Sequence, residues 1–322
     1  ISAWRAQGLT PVPVAVNLSA RQLQQKDLAH TVRKILSDHG TEPKLIELEI
    51  TESTLMRNPE HAVDMLRQLK AEGIRLAVDD FGTGYSSLAY LKSFPLDTLK
   101  IDRSFIKDII TTPDDALITR AVISMAHSLR LNVVAEGVED EAQLAFLRTN
   151  GCDEMQGFLF SQAIPAGECG DLLRAGRQLP PPKASGDLGP TLLLVDDEVN
   201  ILSSLKRLLR RDGYNILTAS SAVEGFEALA RNDVSVVISD QRMPDVTGVE
   251  FLRRVKDIYP NTIRIVLSGY TDLQTVTDAV NQGAVYKFFT KPWEDDQLRA
   301  HVKEAFTYKA LLDENRKLSP VS

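Results

Sequence analysis

The fold is decided by residues 74–88, IRLAVDDFGTGYSSL. An apolar run rich in strand-favouring residues stops at two adjacent acids, Asp79 and Asp80, and a turn with two glycines follows at 82–84. This pattern predicts a buried strand that delivers two carboxylates to a loop. Two acids this close repel each other unless a cation lies between them, and a divalent metal ion is the simplest one. Spacing alone leaves an alternative, in which one Asp caps the next helix and its neighbour is solvated.

The composition is that of a soluble protein, with 322 residues of which 43% are hydrophobic and 25% charged. This length predicts two domains. The net charge of −7 and the lack of a basic block argue against DNA or another nucleic acid as the main partner.

The two cysteines, Cys152 and Cys169, form no CxxC pair and no disulfide framework, which favours a cytoplasmic location. No apolar run reaches about 18 residues and no signal peptide opens the chain, so neither a membrane span nor export is expected. Because residue 1 is Ile rather than Met, we expect the chain to be a fragment of a longer protein.

Strand-like and helix-like stretches alternate through the first half of the chain. The predicted strands are 12–16, 45–50, 74–78, 98–101, 132–135 and 155–160. Helical patterns lie between them, among them 28–39, 61–72, 116–129 and 141–150. This order predicts a parallel sheet covered by helices.

A polar residue lies at or near the carboxyl end of each predicted strand. In chain order these residues are Asn17, Glu49, Asp79 with Asp80, Lys100, Glu136 and Gln156. Each of them alone could be a cap or a solvated loop residue. In a β/α barrel, however, the carboxyl ends of all strands open on one face, where active sites are built. We therefore expect these side chains to meet in one pocket.

The residue types in this set indicate metal chemistry. Carboxylate and amide oxygens without His or Cys suit Mg²⁺ or Mn²⁺ rather than zinc. Residues 1–175 hold 18 basic and 24 acidic residues, a net charge of −6, so an anionic substrate would need metal ions to approach. Metal ions that bridge a phosphodiester and activate a water are the economical mechanism, with Lys100 as the one fixed positive charge in the pocket.

Six motifs in order resemble the EAL family of cyclic di-GMP phosphodiesterases. They are NLSARQL at 17–23, ELEITES at 47–53, DDFGTGYSSL at 79–88, LKID at 99–102, AEGVE at 135–139 and QGFLFSQAIP from 156. The resemblance implies a TIM-like barrel that linearises cyclic di-GMP to pGpG with two divalent cations, Mg²⁺ or Mn²⁺.

The resemblance also implies a role for each residue. Asn17, Glu49 and Asp79 would hold one metal, and Asp79, Asp80 and Glu136 the other. Lys100 and Gln156 would contact the attacking water, the substrate or metal-bound solvent. Glu139 would brace the 81–87 loop, which in this family couples catalysis to homodimerisation.

The sequence departs from the family at its start. The EAL signature, which lies upstream of the NLS strand in relatives, is absent, and six strands are predicted where a barrel has eight. We therefore expect an incomplete barrel with impaired metal binding, and doubtful phosphodiesterase activity for a fragment that lacks the signature Glu. On this basis 1–175 is the EAL-type domain, and the proline-rich stretch 176–190 is a linker.

A second α/β pattern begins at residue 191. Its strands lead to Asp196 and Asp197, to Asp240, to Ser268 and to Lys291. Acids, a hydroxyl and a lysine at the carboxyl ends of parallel strands describe a Mg²⁺-dependent phosphoryl-transfer site. For Asp197 alone, a role as a helix cap remains an alternative.

The segment 191–306 resembles a response-regulator receiver domain, which has a flavodoxin-like, doubly wound fold. The resemblance implies that Asp240 accepts a phosphoryl group from a cognate histidine kinase. Asp196 or Asp197 would hold Mg²⁺ with Asp240 and the carbonyl of Arg242, while Ser268 and Lys291 would contact the phosphoryl group. Phe288 would be the switch aromatic.

The tail, 307–322, has Tyr308, Leu311, Asn315 and Leu318 at heptad-like spacing. It is either a short coiled-coil signalling helix or a plain amphipathic helix.

The leading hypothesis for the whole chain is a phosphodiesterase regulated by aspartyl phosphorylation. The alternatives are a non-catalytic cyclic di-GMP sensor or scaffold with the receiver as its working module, and a receiver that controls a further output domain beyond residue 322.

Overall fold

The computed structural model describes residues 1–84, 88–179, 181, 189–269 and 273–318, with only the backbone given for 88, 273–276, 317 and 318. The chain divides into two compact units. One comprises Ile1–Asp108 and Ile118–Pro181, and the other comprises Ile109–Leu117 and Pro182–Ser322. The domain boundaries expected from the sequence remain a proposal.

The first unit contains one parallel sheet whose strands follow one another in chain order, β1 to β6. The strands are β1 Val14–Asn17, β2 Ile46–Thr51, β3 Arg75–Phe81, β4 Thr98–Ile101, β5 Asn132–Glu136 and β6 Glu154–Gln156. This sheet is an incomplete TIM-like barrel, so the predicted fold class is confirmed.

Ten α-helices begin in the part of the chain that carries this sheet, counted over the described residues. They are α1 Ser2–Ala6, α2 Ala20–Leu23, α3 Leu28–Asp38, α4 Glu52–Leu55, α5 Pro59–Ala71, α6 Leu88–Leu91, α7 Arg103–Ile106, α8 Pro113–Ser128, α9 Glu141–Thr149 and α10 Ala166–Ala175. A short 3₁₀ helix, Pro43–Leu45, precedes β2.

The sheet of the first unit has one apolar and one polar face. Leu48, Leu76, Leu99 and Val133 are buried on four adjacent strands, and α4, α5 and α7 pack against the sheet. Because side chains alternate along a strand, the residues between them point to the other face, which carries acids, a lysine and a threonine. The polar face holds the candidate site.

Two strand boundaries differ from the prediction for identifiable reasons. β1 begins at Val14 rather than residue 12, since Pro13 has no N–H to donate to a neighbouring strand. β6 ends at Gln156 rather than residue 160, because the chain turns at Gly157. There φ is +159° and an added Cβ would lie 2.2 Å from the carbonyl oxygen of Val138, so only glycine allows this approach.

The second unit has a five-stranded parallel sheet in the order β11-β10-β9-β7-β8. The elements are β7 Thr191–Val195, α11 Val199–Leu209, β8 Asn215–Ala219, α12 Ala222–Arg231, β9 Val234–Asp240, α13 Gly248–Ile258, β10 Ile263–Ser268, α14 Leu273–Asn281, β11 Lys287–Thr290 and α15 Asp295–Leu318. A 3₁₀ turn, Arg210–Asp212, follows α11.

The core of the second unit combines the sheet with α11 and α15. Leu194, Val236 and Ile265 from the strands meet Leu205 and Val302 from the helices. This is the predicted doubly wound arrangement, in which ligands gather at the carboxyl ends of the central strands.

The tail forms the second half of α15. Tyr308 and Leu311 are exposed and Asn315 lies on the same side, whereas Leu312 packs against the core of the second unit. The side chain of Leu318 and the last four residues lie outside the described part of the chain. None of the described helices is both long enough and apolar enough to cross a membrane.

Candidate functional site

Four strands of the first unit bring charged side chains together on the polar face. Glu49 lies on β2, Asp79 on β3, Lys100 on β4 and Glu136 at the end of β5. The parallel register aligns the carboxyl ends of these strands, since Thr51 pairs with Asp79 and Ile101 with Ala135. Residues that are 87 positions apart in the chain, Glu49 and Glu136, therefore contact one ammonium group.

Lys100 is the centre of this cluster. Its Nζ lies 2.5 Å from Glu136 Oε1, 2.7 Å from Glu49 Oε1 and 3.4 Å from Asp79 Oδ1. The lysine is 4% exposed, and Glu49 and Asp79 are 7% and 9% exposed. These are ion pairs largely removed from water, where charges interact more strongly than at the surface.

A β-bulge in β3 explains how two consecutive aspartates reach the same site. Val78 pairs with Leu99 and Phe81 with Ile101, so Asp79 and Asp80 together oppose the single residue Lys100. Asp80 adopts a left-handed conformation, with φ of 54°. The extra residue breaks the strict alternation of side chains, and both carboxylates can lie on the polar face.

The electrostatics of the cluster follow from burial and like charge. Burial raises the pKa of Asp80, and the neighbouring Asp79 and Asp102 raise it further, against a lowering effect of Lys100. Burial also raises the pKa of Glu136 despite its contact with Lys100. Burial alone would lower the pKa of Lys100, but its hydrogen bonds to Glu136 and Glu49 outweigh burial and raise it.

The donor set fits a divalent cation. Carboxylate oxygens of Asp79, Asp80 and Glu136 lie within 4.8 Å of one another. With Glu49 the cluster has four carboxylates and one positive charge, that of Lys100, so it carries an excess of negative charge that a metal ion would balance. Oxygen ligands of this kind match Mg²⁺ and Mn²⁺.

Two further predicted site residues flank this cluster. Asn17 ends β1 and its Cα pairs with that of Glu49. Gln156 ends β6 and pairs with Glu136 in the same way. Both are exposed at the edge strands of the sheet, next to the acids that the resemblance assigns to the metals.

The turn after the paired aspartates is held by Glu52, a residue that the sequence interpretation did not single out. Glu52 is 1% exposed, and its Oε2 accepts a hydrogen bond from the backbone N–H of Gly82 at 2.9 Å. An added Cβ on Gly84 would lie 2.7 Å from Glu52 Oε1, so the glycine permits this close approach. The feature of the sequence that could have pointed to Glu52 is its place three positions after Glu49, at the start of α4.

Glu139, which the resemblance assigns to bracing the 81–87 loop, has a different contact among the described residues. Its Oε1 accepts a hydrogen bond from Arg103 at 2.6 Å, and both side chains are largely exposed. Residues 85–87 of the loop lie outside the described part of the chain.

The second unit has its own cluster of acids around a lysine. Lys291 Nζ lies 2.7 Å from Asp240 Oδ1 and 2.9 Å from Asp196 Oδ2. Carboxylate oxygens of Asp196, Asp197 and Asp240 lie within 4.8 Å of one another, with Asp196 and Asp240 buried and Asp197 exposed. Burial raises the pKa of Asp196 despite Lys291. Burial would lower the pKa of Lys291, but its hydrogen bonds to Asp240 and Asp196 raise it.

The backbone around Asp240 is tightly constrained. Its Oδ2 accepts a hydrogen bond from the N–H of Arg242 at 3.2 Å. An added Cβ on Gly248 would lie 2.0 Å from the carbonyl oxygen of Asp240, so the first residue of α13 must be glycine for this approach.

The two predicted switch residues lie on the neighbouring strands. Ser268 ends β10, one residue after Leu267, which pairs with Asp240. Its hydroxyl is buried and donates to the carbonyl of Gly269. Phe288 lies half-buried on β11, opposite Val266.

Comparison with protein families matches both halves of the chain. Residues 1–163 match the model described as EAL domain. Residues 192–303 match the response regulator receiver domain.

The first half is also similar to named proteins. Over 164 residues it is 49% identical to the cyclic di-GMP phosphodiesterase NbdA of Pseudomonas aeruginosa, covering 51% of this chain and 21% of that protein. Over 166 residues it is 42% identical to the cyclic di-GMP phosphodiesterase PdeR of Escherichia coli, covering 52% and 25%. The chain therefore spans a quarter or less of the length of these relatives.

Two solved structures share the fold of the first half. The EAL domain of Mycobacterium smegmatis DcpA is 42% identical, with a TM-score of 0.53 over 55% of this chain and 80% of that one. The PaMucR phosphodiesterase in complex with c-di-GMP is 45% identical, with a TM-score of 0.51 over 52% and 68%.

Proposed function

Because the chain belongs to the EAL domain family over residues 1–163 and carries a receiver domain over 192–303, we propose that it hydrolyses cyclic di-GMP to pGpG under the control of aspartyl phosphorylation. The observation that supports this most is the contact of one lysine, Lys100, with acids from three other strands. Relatives that share this half are named cyclic di-GMP phosphodiesterases.

In the proposed reaction the side chains of the first unit have separate tasks. Asn17, Glu49, Asp79, Asp80 and Glu136 would hold Mg²⁺ or Mn²⁺, which when bound neutralises the phosphodiester and lowers the pKa of a water. Lys100 donates hydrogen bonds to the attacking water or to a phosphate oxygen as negative charge develops on it. Gln156, next to Glu136, orients the substrate or metal-bound solvent.

Turnover of cyclic di-GMP with Mg²⁺ tests this proposal in the protein as encoded by its native gene. Glu49→Ala should abolish formation of pGpG, measured by chromatography, because it removes one of the carboxylates proposed to hold the metal ions. The same carboxylate contacts Lys100. Ile35→Ala, which truncates an exposed side chain on α3, is the control and should keep wild-type turnover. Binding of cyclic di-GMP without turnover by the wild-type protein would favour a sensor or scaffold instead.

For the second unit we propose that Asp240 is the phosphoacceptor. One of its carboxylate oxygens would attack the phosphorus of the kinase's phosphohistidine as the P–N bond breaks and the bonding electrons stay on the histidine ring nitrogen. Asp196, Asp197 and Asp240 would hold Mg²⁺, which would balance the charge of the phosphoryl group. Lys291 and Ser268 would contact the transferred phosphoryl group. Phe288 would be the switch aromatic that responds to phosphorylation. The support is the short distance from Lys291 to both Asp240 and Asp196.

Labelling with acetyl phosphate tests this assignment. Asp240→Asn should remove the label, detected by mass spectrometry of the intact protein. Asp245→Asn is the matched control, because Asp245 is an exposed loop aspartate with φ of 68° that Asn also tolerates, and it should label normally. Unchanged labelling of Asp240→Asn would refute the assignment.

We further propose a histidine kinase as the phosphoryl donor, a cytoplasmic location, and a homodimer formed through the first unit. The two free cysteines agree with a reducing compartment.

The proposed homodimer interface lies near the 81–87 loop. Tyr90 on α6, which follows this loop in the chain, is exposed and supports an interface there. Sedimentation of wild type and Tyr90→Glu tests the dimer, which the substitution should dissociate.

A further inference from the structure

The ammonium group of Lys100 contacts carboxylates that the proposed metal ions would need as ligands. Its three ammonium hydrogens can serve three acceptors, and three carboxylates lie within 3.4 Å of Nζ. Two of these, Asp79 and Glu136, belong with Asp80 to the group whose oxygens lie within 4.8 Å of one another.

This arrangement has two opposed effects on the site. Without a metal, Glu49, Asp79 and Glu136 would repel one another in a largely buried position, and Lys100 offsets that repulsion. With a metal, the fixed positive charge of Lys100 repels the incoming cation and its hydrogen bonds compete for the same carboxylates. One residue therefore organises the ligands and weakens their hold on the metal.

We propose that Lys100 is a positioning residue that acts as an internal counter-ion. It holds Glu49, Asp79 and Glu136 in place before metal arrives, and it lowers the affinity of the site for the metal. This inference rests on the metal site of the proposed function, but it concerns the binding of the ion alone and not the hydrolysis of a nucleotide.

Three substitutions separate charge from hydrogen bonding at this position. Lys100→Arg keeps the charge, Lys100→Gln keeps amide donors without the charge, and Lys100→Met keeps neither. All are made in the protein as encoded by its native gene and carrying Asp240→Asn, so that the second acidic cluster contributes less to metal binding.

Binding of Mn²⁺ is measured by calorimetry without nucleotide. Lys100→Gln and Lys100→Met should bind Mn²⁺ about tenfold or more tightly than the parent, because a positive charge a few ångströms from the ion has been removed. Lys100→Arg should stay within about threefold of the parent, since the charge remains.

Thermal unfolding provides the second readout. Without metal, Lys100→Met should unfold about 5–10 °C below the parent, because buried carboxylates lose their partner. Saturating Mn²⁺ should remove most of that difference. If Lys100→Met does not fold without metal, the Mn²⁺ affinity of Lys100→Gln is the measurement that tests the inference.

Neutral variants that bind Mn²⁺ no more tightly than the parent would overturn the inference. A wild-type protein that binds Mn²⁺ but does not hydrolyse cyclic di-GMP would contradict the proposed function and leave the inference standing. The two failures are therefore distinguishable.

Discussion

Glu52 fixes the position of the turn at 82–84 through one charge-assisted hydrogen bond to Gly82. We expect Glu52→Ala to remove the acceptor of this N–H and to destabilise the turn by about 1.5–3 kcal/mol. Hydrogen exchange should show the amide of Gly82 losing protection by about tenfold or more, as such an energy implies. Glu168→Ala, an exposed acid on α10, is the control. Unchanged exchange at Gly82 would show that other contacts hold the turn.

Cys152 makes the stability of the first unit depend on pH. Cys152 is 7% exposed, and burial raises the pKa of its thiol to about 12 from its ordinary value of about 9. The folded state thus favours the neutral thiol, a contribution that is complete below pH 9 and lost as pH rises toward 12.

Comparison of wild type with Cys152→Ala isolates this effect in urea unfolding. Between pH 8 and 10.5 wild type should lose about 2 kcal/mol more than the variant, because only the unfolded thiol ionises over this range. Cys169→Ala, which removes the less buried cysteine, is the control. Parallel pH profiles of wild type and Cys152→Ala would contradict the prediction.

The strand-end residues named next were predictable because a strand-favouring stretch of sequence leads to each of them. Glu49, Asp79 and Glu136 needed no knowledge of the three-dimensional contacts beyond the parallel order of the strands. Glu52 was not predictable in this way. Its importance depends on the close approach of a turn 30 positions later in the chain, which Gly84 permits and the sequence does not state.

At the scale of elements, the bulge in β3 sets the geometry of the paired aspartates. Asp80 has a positive φ, and burial together with the neighbouring Asp79 raises the pKa of its carboxyl group. Both features lower the stability of the folded state. Asp80→Gly should therefore stabilise the first unit in urea unfolding by about 1 kcal/mol, through relief of the left-handed conformation and of charge repulsion.

The same substitution should weaken Mn²⁺ binding, because it removes one of three converging carboxylates. Such opposed changes in stability and binding are typical of functional sites. Asp64→Gly, in the middle of α5, is a contrasting control that should destabilise the helix. A destabilised Asp80→Gly protein would show that the bulge does not strain this residue.

The sequence predicted β3 but not its bulge. A bulge is defined by the register between a strand and its neighbour. Here two residues of β3 lie opposite the single residue Lys100 of β4. The early end of β6 has a similar origin, since the turn at Gly157 depends on contact with Val138. The alternation of strands and helices was predictable because it needs only local hydrophobic periodicity.

At the scale of the whole molecule, the second unit has a complete core of its own. Strands β7, β9 and β10 pack with α11 and α15. We expect residues 189–318 expressed alone to unfold in one cooperative transition and to label at Asp240 with acetyl phosphate at the rate seen in the full chain. Circular dichroism and intact-mass measurements test both points. Loss of cooperativity would show that 109–117, which group with this unit, are needed for its stability.

The fold class of both halves was predictable because parallel sheets impose regular alternation on the sequence. The grouping of 109–117 with the second unit was not predictable, because it depends on which residues lie close together in three dimensions and not on local sequence.

The order of strands in the two sheets also determines how each can assemble during synthesis. In the first sheet every strand pairs with the strand made just before it, so each can add to a growing edge as it leaves the ribosome. In the second sheet β9 joins the free side of β7 after β8 has taken the other, and β10 and β11 then extend that side. Translation can thus build the acidic site of the first unit strand by strand, whereas the phosphoryl-transfer site is completed only when Lys291, directly after β11, has been made.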